Sequence, residues 1–311
     1  MVNVKLKNNR AWFLVIPALL LLGFVAIIPL ITVVNYSFHD VFTQDSKQWV
    51  WVGLEWFSRV LGSSRFWESF GRSLLFSAII LIIEIPLGIA IALSMPKKSA
   101  LVAVCLVSMS VPLLVPWNMI PMIWYIFMSP DFLGKLFSTI GFNFDWRLNG
   151  FHTWIAIVLM DVWHWTSLVV LLCYSSLTTI PTALYRAAAI DRASRWNVFR
   201  YIELPKMSGV LMMAILLRFM DSFMVFIEPF RLNAGGPRNS TMFLAMELGI
   251  DVAAADYGPA AARSVIYFII ILIVAWTFKT ALAINESDNK YSKKITDQSL
   301  LNLEKQKVNE L

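Results

Sequence analysis

Residues 180–205 have the sequence IPTALYRAAAIDRASRWNVFRYIELP, and they connect two long apolar segments of the chain. The alanines Ala187–Ala189 predict a short helix, because alanine has the highest intrinsic helix propensity. Pro205 fits the first turn of the apolar helix that follows, where its missing N–H is not needed. The small side chains leave a low ridge on which another protein can dock closely, although the composition also fits an amphipathic connector between two spans.

The segments on either side belong to a set of six that are long and apolar enough to cross a membrane. A helix that crosses about 30 Å of hydrocarbon needs roughly 20 predominantly apolar residues. The first segment is predicted to be a retained helix, because its apolar run is too long for a signal peptide and no small-residue cleavage site follows. The sequence therefore predicts an all-α polytopic membrane protein with spans at about 11–34, 73–95, 101–128, 154–174, 207–232 and 264–284.

The composition agrees with a membrane protein. Of the 311 residues, 58% are hydrophobic and 15% are charged, against roughly 25% charged in soluble domains. The excess of apolar side chains is expected to face a bilayer. Cys105 and Cys173 lie inside apolar runs, so no disulfide or metal framework is indicated. We predict one membrane domain, residues 1–285, followed by a polar cytoplasmic tail, residues 286–311.

The distribution of lysine and arginine predicts which loops face the cytoplasm. One set of loops contains three, two, five and five basic residues, and the opposite set contains four, two and two. Because cytoplasmic loops are enriched in Lys and Arg, both termini are predicted to be cytoplasmic. The net charge of +6 is then mostly a topology signal, and no nucleic-acid partner is needed to explain it. The basic-rich set is 1–10, 96–99, 175–206 and 286–311, and the opposite set is 35–72, 129–151 and 233–263.

The 180–205 stretch resembles a known family. Its alanines, acidic residue and terminal Leu-Pro have the spacing of the EAA loop of ABC importer permeases, in particular of the sugar-type group that contains the maltose and glycerol-phosphate permeases. In that family the loop is a coupling helix that seats in a cleft of the ATPase subunit. The resemblance therefore implies a type I ABC importer permease fold. It assigns ATPase coupling to Arg186, Ala187, Ala188, Asp191, Arg192, Ala193, Ile202, Leu204 and Pro205.

The likeness covers nearly the whole chain. Segments in the first outer loop, the third span and the fourth span (52–57, 117–124 and 161–165) are similar to the family in order and spacing. The sequence Gly235-Gly236-Pro237 resembles the family's outer loop. The resemblance implies that Gly235, Gly236 and Pro237 face an extracytoplasmic solute-binding protein.

Two residues depart from the family pattern. Arg186 stands where the family usually has Glu, and Arg192 stands where it usually has Gly. The first change reverses a charge at the expected ATPase contact, so we expect compensating acidic groups in the ATPase cleft. The second places a side chain at a turn position that normally accepts an unusual backbone geometry.

Ionisable residues within the spans mark a second candidate site, because such groups are costly in hydrocarbon and usually face a cavity or one another. A spacing of three residues puts Asp161 with His164, and Arg218 with Asp221, on shared helix faces. Two interpretations stay open from the residues alone: a solute pathway, or internal neutralisation of an acid by Arg218. The ionisable residues concerned are Glu84, Asp161, His164, Arg218, Asp221 and Glu228.

In the maltose-type permeases the sugar contacts lie on the two spans that flank the coupling loop. Charge-assisted hydrogen bonds from Asp, His and Arg suit a compact hydroxylated solute. We therefore expect a carbohydrate or small polyol, with glycerol the most specific prediction, whereas one Arg beside two Asp suits a dianion poorly. The resemblance implies solute contacts at Asp161, His164, Trp165, Leu168, Arg218, Asp221, Ser222 and Val225.

The sequence indicates a transport subunit and no enzyme, since it has no Gly-rich phosphate loop and no metal-spaced His or Cys set. No cofactor is expected in this chain, and the resemblance implies that ATP and Mg²⁺ bind a separate cytoplasmic ATPase dimer. It further implies a second, non-identical permease, a solute-binding protein, membrane lipid around the spans, and alternating access in a bacterial inner membrane. A proton- or ion-coupled secondary transporter is the alternative, although we find no inverted repeat between the halves.

Overall fold

The computed structural model describes residues 11–41, 49–96, 100–129 and 144–280, together with Phe132, Lys135 and Thr139. Within these residues the regular structure is helical except for one antiparallel pair of two-residue strands, β1 (His39–Asp40) and β2 (Val50–Trp51). The helices are α1 (Ala11–Ser37), α2 (Glu55–Leu61), α3 (Ser64–Ser94), α4 (Ala100–Leu114), α5 (Ile120–Phe127), α6 (Gly150–Thr178), α7 (Thr182–Ile190), α8 (Arg195–Val198), α9 (Leu204–Phe223), α10 (Ile227–Asn233), α11 (Leu244–Ala253) and α12 (Tyr257–Thr280).

The predicted all-α membrane architecture is confirmed. Five helical stretches in the described part of the chain are long and apolar enough to cross a membrane, and a bent pair supplies a sixth. The last described residue, Thr280, lies inside the predicted sixth span. Residues 1–10, the turn residues 97–99 and the predicted tail, 286–311, lie outside the described part. The five stretches are Val15–Ser37, Ser64–Ser94, Gly150–Thr178, Arg195–Asn233 and Tyr257–Thr280.

In the third span, placed at 101–128, the residues Pro112, Pro116 and Pro121 predict a bent helix, and the structure has a sharp break there. Helix α4 ends at Leu114, α5 begins at Ile120, and the two are bent by 78°. Pro116 has an extended backbone, with φ −56° and ψ 132°, and a 3-10 turn follows at Trp117–Met119. Because proline lacks an N–H donor and its ring clashes with the preceding turn, closely spaced prolines end the helix here.

The second span begins earlier than predicted. Helix α3 starts at Ser64, nine residues before the apolar run that marks it in the sequence. Its first turns are polar, and an ion pair of 2.7 Å between Arg72 and Glu68 at spacing i,i+4 supports the helix there. A search for apolar runs does not detect this charged N-terminal segment of α3. In the first outer loop, Val52-Gly53-Leu54 and Phe66-Trp67 predict a short amphipathic surface helix. The structure has the short helix α2 there, whereas Phe66 and Trp67 belong to α3.

The described residues form two compact units. The first lies within Met1–Trp67 and Glu247–Ile270, and the second lies within Glu68–Met246 and Ile271–Leu311. In the first unit, the buried Trp56 indole donates to the His39 carbonyl oxygen at 3.0 Å.

The second unit contains the candidate sites, and its spans pack closely. A Cβ atom built on Gly88 of α3 would lie only 2.5 Å from a methyl group of Val169 on α6. Two apolar clusters fill this unit, one around Phe76 and Ile157 and the other around Val170 and Met207. Small residues let helix backbones approach closely in membrane proteins, so Gly88 sets the separation of α3 from α6.

Candidate functional site

Three helices of the second unit bring four charged side chains together. Arg218 and Asp221 lie one turn apart on α9, Asp161 lies on α6, and Glu84 lies on α3. The Arg218 side chain is only 1% exposed, although it is the largest of the fully buried side chains. We name these four residues the charge cluster.

All three guanidinium nitrogens of Arg218 donate to carboxylates. Nε donates to Glu84 Oε2 at 2.7 Å, Nη1 to Asp221 Oδ2 at 2.6 Å, and Nη2 to Asp161 Oδ2 at 2.5 Å. A fourth contact joins Nη2 to Glu84 Oε1 at 3.4 Å. Since guanidinium stays charged in proteins and has five N–H groups, the cluster holds one fixed positive charge among three carboxyl groups, and these four hydrogen bonds leave a single N–H, on Nη1.

These contacts show the ion pairing that one of the two interpretations of the buried charges predicts. Internal neutralisation of Asp161 and Asp221 by Arg218 is present, and Glu84 is an additional partner that the predicted site did not contain. The Asp221 side chain is 28% exposed, against 3% for Asp161 and 0% for Glu84. Asp221 is thus the acid of the cluster that faces away from the packed interior.

A second group of side chains lies beside the charge cluster, at the breaks of two spans. The guanidinium carbon of Arg218 lies 4.7 Å above the Trp165 ring, and the Trp117 ring stands perpendicular to Trp165 at 6.1 Å. Trp117 belongs to the 3-10 turn that breaks the third span, and its indole N–H donates to Glu228 Oε1 at 2.6 Å. Glu228 lies in the first turn of α10, just after the fifth span is interrupted at residues 224–226.

Two polar atoms of this group are buried without a hydrogen-bond partner among the described residues. They are the indole N–H of Trp165, a donor, and Oε2 of Glu228, an acceptor. Buried polar groups in native proteins are nearly always paired, and leaving one unpaired costs about 1–3 kcal/mol. The two atoms are therefore a donor and an acceptor whose hydrogen-bonding capacity is not used by the described residues.

The other predicted pathway residues lie on or directly after α6 and α9, and they differ in burial and in their hydrogen bonds. His164 is buried, its ring stands perpendicular to Trp165 at 4.7 Å, and its Nδ1 has no described partner. The Ser222 hydroxyl donates to the Arg218 carbonyl at 2.7 Å and is therefore engaged by its own helix. Val225 is buried in an apolar cluster, and Leu168 is half-buried.

The predicted coupling residues form an exposed surface at the other candidate site. Within α7 only Ala188 is buried, and Arg186, Ala187 and Asp191 are exposed. Ala193, Ile202 and Leu204 are half-buried, and Pro205 is exposed at the start of α9. Two large apolar side chains that the resemblance did not single out, Ile190 and Trp196, are 82% and 64% exposed on the same segment. An exposed apolar patch of this kind is typical of a protein interface.

Helix α7 ends in a Schellman motif with arginine at the position where glycine is usual. Ala193 donates its N–H to the Ala188 carbonyl at 2.9 Å, and Arg192 donates to Ala189 at 3.2 Å. Arg192 has φ 51°, in the left-handed region. Glycine is preferred at this position because a side chain is strained there, which confirms the unusual backbone geometry expected from the departure at Arg192.

Replacing Arg192 by glycine is expected to stabilise the protein by up to about 1 kcal/mol, since the relief of left-handed strain exceeds the added entropy of the unfolded chain. The measurement is the thermal unfolding midpoint of the purified protein in detergent. Arg186→Gly is the matched control, because Arg186 lies inside α7, where glycine is expected to destabilise by about 1 kcal/mol. A lower midpoint for Arg192→Gly than for the wild type contradicts the assignment of strain.

The loop at Gly235-Gly236-Pro237 is a compact turn. Gly235 has φ 85° and is buried, and an added Cβ would lie 2.7 Å from the Met242 methyl group. The Gly236–Pro237 peptide bond is cis. The Thr241 hydroxyl donates to the Gly236 carbonyl at 2.9 Å. The exposed residues of this segment are Ala234, Arg238 and Asn239. Gly235, Gly236 and Pro237 therefore determine the backbone of the turn, and the three exposed residues form its surface.

The part of the chain that the structure describes has up to six apolar spans and a buried charge cluster, and a short exposed helix joins the fourth and fifth of these spans, so the chain is a polytopic membrane protein. Comparison with known proteins specifies the class. Residues 84–281 match the family model described as binding-protein-dependent transport system inner membrane component. The chain belongs to this family. It is the permease subunit of a sugar-type ABC importer, and a multi-pass protein of the inner membrane.

Relatives of known designation agree with this assignment. The chain is 30% identical over 275 residues to the trehalose/maltose transport system permease protein MalF of Thermococcus litoralis, covering 86% of this chain and 92% of the relative. It is 26% identical to the diacetylchitobiose uptake system permease protein DasB of Streptomyces coelicolor, covering 76% and 75% of the two chains. A crystal structure of a bacterial ABC transporter that imports the acidic polysaccharide alginate shares the fold, with a TM-score of 0.74, 18% identity and coverage of 88% and 95%.

Proposed function

We propose that this permease passes a neutral hydroxylated solute, a carbohydrate or a small polyol, by alternating access past the charge cluster. The observation that carries the proposal is the pairing of the single Arg218 guanidinium with three carboxyl groups, those of Glu84, Asp161 and Asp221. An anionic solute needs a free cationic partner, and the surrounding carboxylates repel it. A neutral solute meets no such penalty.

The atoms around the cluster suit hydroxyl groups. The exposed part of the Asp221 carboxylate and the unpaired Oε2 of Glu228 accept hydrogen bonds, and the unpaired Trp165 N–H donates one. Aromatic rings beside polar groups of both kinds are typical of carbohydrate-sized ligand sites. The site proposed from the sequence, centred on Asp161, Trp165, Arg218 and Asp221, therefore gains Glu228 and Trp117 as contacts.

Two sizes of solute fit this proposal, a small polyol and a disaccharide. Glycerol is the most specific prediction from the compact, charged site. Two of the relatives are named instead for disaccharides, a trehalose/maltose permease and a diacetylchitobiose permease. Glycerol and these disaccharides are all uncharged hydroxylated compounds, so the experimental panel includes both kinds of solute.

The expected partners are those of the family, and exposed surfaces of the chain support two of the contacts. We infer that the exposed face of α7, with Ile190 and Trp196, docks on a cytoplasmic ATPase dimer that carries ATP and Mg²⁺. Acidic groups in the ATPase cleft would complement the exposed Arg186. A second, non-identical permease is expected to complete the pathway, and a solute-binding protein is expected to contact the turn around Gly236.

The test is uptake by the purified complex in proteoliposomes, with the cognate ATPase, second permease and binding protein. Trehalose, maltose and glycerol are compared with the anions glycerol 3-phosphate and glucuronate. We expect ATP-dependent, binding-protein-dependent uptake of a neutral solute and background uptake of both anions. An anion as the best substrate contradicts the proposed chemistry, and uptake driven by a proton gradient without the ATPase contradicts the mechanism.

A further inference from the structure

A buried carboxylate joins the coupling helix to the fifth span. Glu203 is only 1% exposed and lies directly before the first residue of α9. Its Oε1 accepts a hydrogen bond from the Tyr185 hydroxyl of α7 at 3.2 Å, and its Oε2 accepts one from Arg195 Nη1 at 2.5 Å. One side chain thus connects α7, the start of α8 and α9. The family resemblance assigned no role to Glu203, Tyr185 or Arg195.

Apolar packing alone holds α7 weakly. Ala188 is the one buried residue within this helix. A cavity of about 170 Å³ lies beside Tyr185 and Glu203, and its other lining residues include Tyr174 and Leu177 of α6 and Met95 near the end of α3. Because the apolar side chains leave this cavity unfilled, they do not fix the position of α7. The hydrogen bonds of the Glu203 carboxylate fix it instead.

The local backbone and the electrostatics support this connection. A π-helical turn, Phe199–Glu203, leaves Arg200 and Tyr201 exposed and Glu203 buried. Single π turns within helices are rare and occur frequently at functional sites. Burial, together with the neighbouring Glu203 carboxylate, raises the pKa of the Tyr185 hydroxyl to about 12, so this group remains a donor at physiological pH.

We propose that Glu203 is a positioning residue that transmits displacement of the coupling helix to α9 and so to the charge cluster. Arg218 lies fourteen residues beyond Leu204, which is roughly 21 Å along a rigid helix. When α7 moves with the ATPase, the Tyr185 and Arg195 contacts carry the N-terminal end of α9 with it. Breaking an ion pair that has one buried partner is costly, so the three elements move together. This inference rests on the proposed function.

The experiment compares solute uptake with ATP hydrolysis in the reconstituted complex. Glu203→Gln keeps the size of the side chain and removes its charge. We expect solute taken up per ATP hydrolysed to fall about fivefold or more, a coupling loss of at least about 1 kcal/mol, while ATP hydrolysis stimulated by the binding protein persists. Glu247→Gln is the matched control, because Glu247 is equally buried, at 1% exposure, and pairs with the half-exposed Arg65 at 2.6 Å. It is expected to lower stability without changing the ratio.

Two further variants keep the inference open to refutation if Glu203→Gln fails to assemble. Tyr185→Phe and Arg195→Met each remove one contact to Glu203, and both are expected to lower the uptake-to-hydrolysis ratio. Combining either with Glu203→Gln should add little further loss, because residues that act through one contact are non-additive. An unchanged ratio in both variants, or in Glu203→Gln with a stability loss equal to that of Glu247→Gln, overturns the positioning role. Absence of ATP-dependent uptake by the wild type refutes the proposed function instead.

Discussion

Replacing Arg218 by methionine is expected to abolish assembly of the transporter. The substitution removes the counter-ion that contacts Glu84, Asp161 and Asp221, two of which are almost completely buried. Removing one partner of a buried ion pair costs about 3–5 kcal/mol, and total stabilities of domains are about 5–15 kcal/mol. The loss of two buried ion pairs is therefore expected to remove most or all of the free energy of unfolding. The measurement is the amount of folded complex recovered by size-exclusion chromatography after membrane extraction.

Two comparison variants distinguish the loss of charge balance in the cluster from the loss of an arginine side chain as such. Arg231→Met removes an exposed arginine of α10 and is expected to change stability by less than about 0.5 kcal/mol. A quadruple variant that combines Arg218→Met with Glu84→Gln, Asp161→Asn and Asp221→Asn carries no buried charge. Because neutral replacement of a whole buried ionic group is far less harmful than breaking it, we expect assembly to recover while uptake does not. Folded Arg218→Met complex at wild-type levels contradicts the central role of the charge cluster.

The sequence predicts the spans and the short helix α7 because each depends on local composition. An apolar run of about 20 residues has few alternatives to a membrane helix, and the alanines of 187–189 favour a helix wherever they lie. The unusual backbone at Arg192 was also expected, because the resemblance places this residue where the family usually has Gly. These features need no knowledge of distant contacts.

Features that depend on contacts between distant segments were not predictable in detail. The sequence shows Glu84 as an ionisable residue in the second span, but only the packing of α3 against α9 makes it a ligand of Arg218, 134 residues away. The hydrogen bond between Trp117 and Glu228 likewise joins the breaks of two spans. Prolines indicated a bend in the third span, yet its 78° angle is set by tertiary packing as much as by the missing N–H.

The Asp221→Ala variant is expected to lose uptake while the complex remains assembled. Asp221 is the most exposed carboxylate of the charge cluster, and Arg218 keeps its bonds to Glu84 and Asp161 when Asp221 is truncated. The structural loss is therefore limited to one partly exposed contact. Loss of a charged hydrogen-bond acceptor for a solute hydroxyl is worth about 1.5–3 kcal/mol, or roughly a tenfold to hundredfold decrease in uptake.

The matched control is Asp251→Ala, because Asp251 is a 19% exposed carboxylate that pairs with Arg263 at 2.6 Å outside the charge cluster. It is expected to transport normally. Asp221→Asn keeps an acceptor oxygen in place, so its uptake should lie between those of the wild type and Asp221→Ala. The contrast between the two variants distinguishes a solute contact from a requirement for charge balance around Arg218: a charge requirement makes Asn as harmful as Ala. Wild-type uptake by Asp221→Ala removes this residue from the solute pathway and leaves its bond to Arg218 as its only role.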